Sequence, residues 1–283
     1  MKRNRTSPAN KPSILVFLGI FSATVFGALS QPAHAVEPLA NAHAHNDYEH
    51  ERPLLDALAQ GFTSVEADVH LIGKELLVAH DARDVQADNT LQSLYLNPLR
   101  DIIRQNRGSV FPEDSGFTLF IDIKTDGEAT YQAIENALKH YKEILTSFTR
   151  ETTVSGAVTV IISGNRPLKT MEGQSIRYAA YDGRLTDLDT ETNHNFIPII
   201  SDNWKNIFNW KGNGDMPPNE RAKLIEIVTK AHANNQRVRL WATPDKASAE
   251  RDAVWLELLQ AGVDLINTDD LAGLNSFLIE NNP

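Results

Sequence analysis

The 283-residue sequence predicts an α/β fold, a (β/α)8 TIM barrel with a small β-hairpin inserted after strand 2. Three observations predict it. Strand-like and helix-like segments alternate over about 250 residues without a composition break, the pattern of successive β/α units. The strand-like segments number eight and are well spaced, which favours closure over an open doubly wound sheet. The first three carry polar pairs at their ends, His43/His45, Glu66/Asp68 and Asp122/Lys124. In an extended strand, residues i and i+2 point to the same face.

The elements follow in order. PLANAHAH supplies strand one, Leu39–His45, and Pro53–Gln60 reads as a helix closed by Gly61. Thr63–Val69 is strand two. LIGKELLVA, Leu71–Ala79, reads as a hairpin turning at Gly73-Lys74 that returns His80 over the barrel mouth. A helix over Leu94–Gln105 leads to strand three, Phe117–Ile123, and a helix over Ala129–Leu145 leads to strand four, Ala157–Ser163. Strands five and six are placed at Ser175–Tyr181 and Ile197–Asp202. Pro217-Pro218-Asn219 opens a helix running to Asn234, followed by strand seven, Arg237–Ala242. A helix over Ala247–Gln260 and strand eight, Val263–Thr268, complete the alternation.

Residues 1–35 are expected to serve export. Lys2, Arg3, Arg5 and Lys11 form a basic segment, Ile14–Leu29 is apolar, and Ala33 and Ala35 occupy the small positions of an A-x-A cleavage site. The apolar stretch is short for a membrane span. The mature domain, 36–283, is therefore expected in the periplasm or outside the cell, with no stable membrane anchor once the signal is cleaved. Removing four basic and no acidic residues takes the net charge from −10 to −14, which argues against nucleic acid as a partner. The absence of cysteine excludes disulfides, thiolate metal sites and a cysteine nucleophile. The sequence leaves the oligomeric state open.

Ionisable groups on core-facing positions are costly unless they pair or bind a metal. Three such pairs, joined by His80 in the His80-Asp81 dipeptide, read as one site. On a barrel they fall at the C-terminal strand ends, where barrel enzymes place their chemistry. Glu66, Asp68 and Asp122 then offer hard oxygen ligands suited to Mg2+ or Ca2+. Lys124 is placed to hold a substrate phosphate, or to form a salt bridge with Glu66 or Asp68. A strand-one histidine and His80 can flank a phosphate, one removing a proton from the nucleophile and the other protonating the leaving oxygen. His43-Ala44-His45 is also an H-x-H that a zinc hydrolase can use, although such sites need further histidines on later strands, and strands four to eight hold none. A non-catalytic binding barrel is the remaining alternative.

The run HAHNDYEHERPLLDALAQGFTSVEADVHLIGKELLVAHD, His43–Asp81, resembles the start of the phospholipase C-like phosphodiesterases. That superfamily includes glycerophosphodiester phosphodiesterases, phosphatidylinositol-specific phospholipases C and sphingomyelinase D toxins. HNDY, PLLDAL and SVEADV most resemble its branch related to the fungal altered inheritance of mitochondria protein 6. FIDIKT, RLWATPD and GVDLINTDD continue the resemblance toward the other end. The resemblance implies a phosphoric diester hydrolase acting on a small-molecule or lipid phosphodiester. It implies Glu66, Asp68 and Asp122 as metal ligands, Lys124 beside the phosphate, and His80 with His45 as the catalytic histidines. His43 qualifies for the strand-one role too, either as a supporting residue or as the catalytic one.

Departures from the family pattern qualify the substrate. The H-R-G and P-E-N-T motifs of glycerophosphodiesterases are absent, so the phosphate-binding arginine at that position is missing. Arg166 in ISGNRP is a candidate replacement, and Trp241 a candidate to line the substrate mouth. Trp204 and Trp210 are candidates for substrate contact or plain packing. Asp269-Asp270 are expected to close the barrel and cap the next helix.

Overall fold

The computed structural model describes Met1 and residues 36–112, 115–190 and 193–281. The expected signal segment, from residue 2 to 35, lies outside the described residues. The chain begins with β1 (Leu39–Ala44), α1 (Leu55–Ala59), β2 (Phe62–Ile72), β3 (Glu75–Val78), α2 (Asn97–Gln105) and β4 (Phe117–Ile123). Next come α3 (Gly127–Leu138), the two-residue strands β5 (Ser147–Phe148) and β6 (Thr153–Val154), β7 (Val158–Gly164), α4 (Leu168–Glu172) and β8 (Ala180–Gly183). The last third holds β9 (Ile199–Asn203), α5 (Trp204–Ile207), α6 (Pro218–Ala233), β10 (Arg237–Trp241), α7 (Ala249–Ala261), β11 (Leu265–Thr268) and α8 (Leu271–Asn281).

Eight parallel strands, β1, β2, β4, β7, β8, β9, β10 and β11, pair in sequence, and β1 pairs with both β11 and β2, which closes the barrel. The ninth strand, β3, pairs antiparallel with the end of β2, matching Ile72 with Glu75 across the Gly73-Lys74 turn. This is the expected hairpin. A register shift in β1 between Leu39 and His43 is the irregularity of a bulge. It leaves His43 opposite both Ser64 on β2 and Asn267 on β11.

Alternation along the strands separates two cores. Outward residues such as Val65, Leu119, Ile121, Val160 and Ile162 pack against the helices. Inward residues Phe120, Ile161, Ala180, Ile199 and Leu265 form a small apolar ring inside the barrel, joined by Phe148 from β5. Toward the C-terminal strand ends the interior turns polar: Glu66 stands level with Phe120, and Asp68, Asp122 and Ser163 form the next inward layer.

One strand prediction needs correction. The fifth barrel strand is Ala180–Gly183, not Ser175–Tyr181. The backbone at Arg177 exchanges hydrogen bonds with Phe148 instead, at 2.8 and 2.9 Å, so that residue pairs with β5 and not with a strand of the barrel sheet. Trp204 and Trp210 pack rather than contact substrate: Trp204 is 1% exposed and its indole N–H donates to the Trp210 carbonyl at 2.9 Å.

Candidate active site

The register places the acidic groups side by side. Asp68 on β2, Asp122 on β4 and Ser163 on β7 are successive Cα partners across the sheet. Their side chains therefore stand on one inward layer at the C-terminal ends of adjacent strands. Glu66 stands one inward position below Asp68. One carboxylate oxygen from each of Glu66, Asp68 and Asp122 lies within 4.8 Å of the others. Gly164, at φ +67°, follows Ser163, and a Cβ there would come within 2.3 Å of Asp122 Oδ1. Only glycine leaves Asp122 this position.

The cluster fits a divalent cation on its own terms. Asp68 is 1% exposed, and its Oδ1 is buried without a hydrogen-bond partner, which leaves a costly bare acceptor. Its other oxygen is fully engaged: Lys124 Nζ lies at 2.9 Å, Tyr48 Oη at 2.7 Å and His80 Nδ1 at 3.2 Å. The donors are all oxygen, the set expected for Mg2+ or Ca2+. Among the described residues this is the one group of metal-capable side chains, and it contains no histidine.

Electrostatics report the same crowding. Burial and the Glu66 charge push the Asp122 carboxyl up to about 6, and the same two causes raise Asp68. Burial works against the charge of Lys124, yet Asp122 at 3.2 Å and Asp68 hold its pKa above the ordinary lysine value. Glu66 is different. Its burial is overcome by the guanidinium of Arg239, which keeps it ionised far below the usual carboxylate range. Arg239 Nη2 contacts Glu66 Oε2, its Nε donates to Asn267 Oδ1 at 2.9 Å, and the guanidinium sits 4.8 Å from the Phe120 ring centroid.

The histidines of strand one have different surroundings. His43 is fully buried, with Nδ1 2.7 Å from Ser64 Oγ and Nε2 3.5 Å from Glu66. Burial and the Arg239 charge lower its pKa to about 3, so it is neutral at any working pH. His45 is half-exposed at the mouth, Nδ1 2.8 Å from Asp269 Oδ1 and Nε2 4.0 Å from Glu66 Oε1. Burial opposes its protonation, but the Asp269 hydrogen bond and the Glu66 charge outweigh it and raise the pKa. His80 is exposed at the end of the hairpin, beside Asp68. His70, on the extension of β2, lies 3.0 Å through Nε2 from the Ala79 carbonyl and 3.3 Å from that of His80, buttressing the turn that carries His80.

The structure thus brings Glu66, Asp68, Asp122, Lys124, His43, His45 and His80 together. Arg166 is not brought into the cluster: its Nη1 donates to the Gly164 carbonyl at 3.1 Å and its guanidinium lies 4.6 Å from the Tyr181 ring centroid. Trp241 ends β10 half-buried, as a mouth-lining residue would. Sequence reasoning missed Arg239, Tyr48 and the role of Asp269. Asp270 does cap the last helix, accepting from Gly273 N at 2.9 Å, whereas Asp269 turns to His45.

The barrel has a counterpart of similar fold among solved structures. A crystal structure of a glycerophosphoryl diester phosphodiesterase from Parabacteroides distasonis matches it with a TM-score of 0.50, covering 88% of this chain and 90% of that one, at 12% identity. At that identity the likeness is one of fold. Residues 33–182 match the AIM6-like phosphodiesterase domain, and residues 237–272 match the glycerophosphoryl diester phosphodiesterase family. Altered inheritance of mitochondria protein 6 homolog from Arthroderma benhamiae is 33% identical over 254 residues, 81% of each chain. Its Eremothecium gossypii counterpart is 30% identical, covering 88% of this chain and 72% of its own, and that of Saccharomyces cerevisiae S288c is 28% identical, covering 90% and 74%. The chain belongs to the AIM6-like phosphodiesterase family.

Proposed function

We propose that this protein is an exported, divalent-cation-dependent phosphodiesterase that cleaves a small-molecule or lipid phosphodiester, with His45 and His80 as its acid/base pair. The carrying observation is the three-carboxylate cluster with a histidine against each of two members, each imidazole tied at Nδ1 to a carboxylate. Tying Nδ1 leaves Nε2 of both rings for proton transfer. Glu66, Asp68 and Asp122 would hold Mg2+ or Ca2+, which when bound offsets the negative charge of the phosphoryl group.

The chain's own residues account for the rest. Lys124, fixed between Asp68 and Asp122, presents a permanent positive charge to the phosphate. One imidazole Nε2 takes the proton of the attacking hydroxyl as its oxygen bonds to phosphorus; the other Nε2 gives a proton to the alcohol oxygen as its bond to phosphorus breaks. Asp269 and Asp68 hold the two rings in the tautomer this needs. Neutral, sequestered His43 supports Glu66 from within the barrel and takes no proton at working pH. Water and a neighbouring hydroxyl of the substrate both satisfy this chemistry as nucleophile.

The test is hydrolysis of an aryl phosphodiester, then of glycerophosphodiesters, lysophospholipids and phosphatidylinositol, with products read by phosphorus NMR. Activity abolished by EDTA and restored by Mg2+ or Ca2+ is expected. Activity restored by Zn2+ alone favours the H-x-H reading, and no hydrolysis of any substrate favours a binding barrel. Export is tested separately: material recovered from outside the cytoplasm should begin near Val36, and an intact N-terminus there overturns the cleavage site. Among the described residues no helix is long and apolar enough to cross a membrane.

A further inference from the structure

One cavity stands apart from the catalytic mouth. It lies at the opposite, N-terminal end of the barrel, with a volume of about 980 Å3, and its lining includes Asn41, Thr118, Phe148, Thr159, His194 and Arg237. That end of a barrel ordinarily carries stability rather than chemistry. Here its inward layer is polar. Thr118 and Thr159 stand two residues before Phe120 and Ile161 of the apolar ring, on the same inward face. Arg237 stands two residues before Arg239 on β10.

Arg237 is the odd member. Its Nη2 donates across the barrel to Thr118 Oγ1 at 3.1 Å, a neutral partner 119 residues away. Among the described residues no carboxylate forms an ion pair with it. Asp264, the acidic residue that acts on it electrostatically, already accepts from Val238 N at 2.8 Å and lies 2.9 Å from His232 Nε2. Glu143, the other lining carboxylate among the described residues, faces Arg104 at 3.5 Å. Burial accordingly disfavours the charge on Arg237 and lowers its pKa. A guanidinium offers five donors in a fixed fork, and confined cations are normally paired.

We propose that the barrel floor is a second ligand site, in which Arg237 and Thr118 bind an oxyanion, the phosphate or carboxylate group of a small polar molecule. The polar layer of Thr118, Thr159 and Asn41 gives the rest of such a molecule hydrogen-bonding walls, and Phe148 closes the cavity toward the apolar ring. The site is independent of the catalytic cluster: Phe120, Ile161 and Leu265 stand between the two ends of the barrel.

Calorimetry with inorganic phosphate and, separately, succinate tests this on EDTA-treated protein. One site is expected for whichever ligand carries the matching oxyanion, and the two arms distinguish phosphate from carboxylate chemistry. Arg237→Met should weaken binding by at least roughly tenfold, the scale of a lost charge-assisted hydrogen bond, while leaving phosphodiesterase activity unchanged. Lys124→Ala should leave this binding intact. Loss of binding in Lys124→Ala with retention in Arg237→Met would locate the anion at the mouth and overturn the proposal, as would no binding of either ligand at millimolar concentration. If Arg237→Met fails to fold, a tungstate soak of the native protein decides: density on Arg237 supports the site, and density at the mouth alone overturns it.

Discussion

Replacing Arg239 with Met should be among the most damaging single changes to stability. Arg239 and Glu66 are 3% and 5% exposed, so each charge relies on the other. Removing one partner of a buried pair typically costs ~3–5 kcal/mol, because the remaining charge is left uncompensated. Asn267 Oδ1 would also lose its 2.9 Å donor, adding about 1 kcal/mol. A loss of ~4–6 kcal/mol is therefore expected by urea unfolding at pH 7 in EDTA. The double variant Glu66→Gln/Arg239→Met carries no orphaned charge and should be more stable than Arg239→Met alone. Saturating Mg2+ or Ca2+, bound by the folded state only, should recover more stability in Arg239→Met than in the native chain. A loss below about 1 kcal/mol, or a double variant no better than the single, would refute the view that Arg239 holds Glu66 ionised.

Three further outcomes follow. Asp47 is fully buried, its Oδ2 accepting from Leu54 N at 2.6 Å, and burial pushes its carboxyl up to about 6. The folded chain keeps a proton that the unfolded chain releases near pH 4, so this group's contribution falls as pH rises from about 4 to 6. Asp47→Asn should gain ~1–3 kcal/mol at pH 7 and remove that part of the pH dependence, measured by urea unfolding across pH; parallel curves would contradict it. Asp122→Asn should abolish Mg2+ or Ca2+ binding by calorimetry with an unchanged circular dichroism spectrum, and full cation-dependent activity in this variant would remove Asp122 from the ligand set. Asp269→Asn should lower kcat by roughly tenfold or more through loss of His45 orientation, without changing cation affinity.

Much of this was legible in the sequence because its signals are local. Alternation within single strands put Glu66 with Asp68 and Asp122 with Lys124, and β4 runs from Phe117 to Ile123 as expected. Gly73-Lys74 is a turn signal that needs no tertiary context. What escaped is long-range. Asp269 meets His45 across 224 residues and Arg239 meets Glu66 across 173. A signal for the latter was present: Arg237 and Arg239 in RVRLW form a polar i,i+2 pair in an otherwise apolar strand, the same violation that marked the first three strands. Tyr48 gave no such signal, since it lies in the single 3-10 turn Asp47–Glu49 after β1, where a tyrosine is unremarked. The fifth strand was misplaced because Ser175–Tyr181 holds two separate pairings: Arg177 pairs with Phe148, the chain bends at Tyr178-Ala179, and the barrel strand starts only at Ala180.

In the proposed mechanism His45 and His80 move protons beside a cation that neither of them binds. Metal content by elemental analysis and kcat across pH, taken on the same samples of native protein, His43→Ala, His45→Ala and His80→Ala, test it most directly. The account predicts near-normal Mg2+ or Ca2+ in all four and a kcat loss of at least roughly 10²-fold in His45→Ala and in His80→Ala. It also predicts a smaller loss in His43→Ala and a bell-shaped profile that loses one limb in each catalytic variant. Metal lost with both His43 and His45 would contradict it in favour of an H-x-H zinc centre, and an active His45→Ala beside a dead His43→Ala would move the catalytic role to the buried histidine.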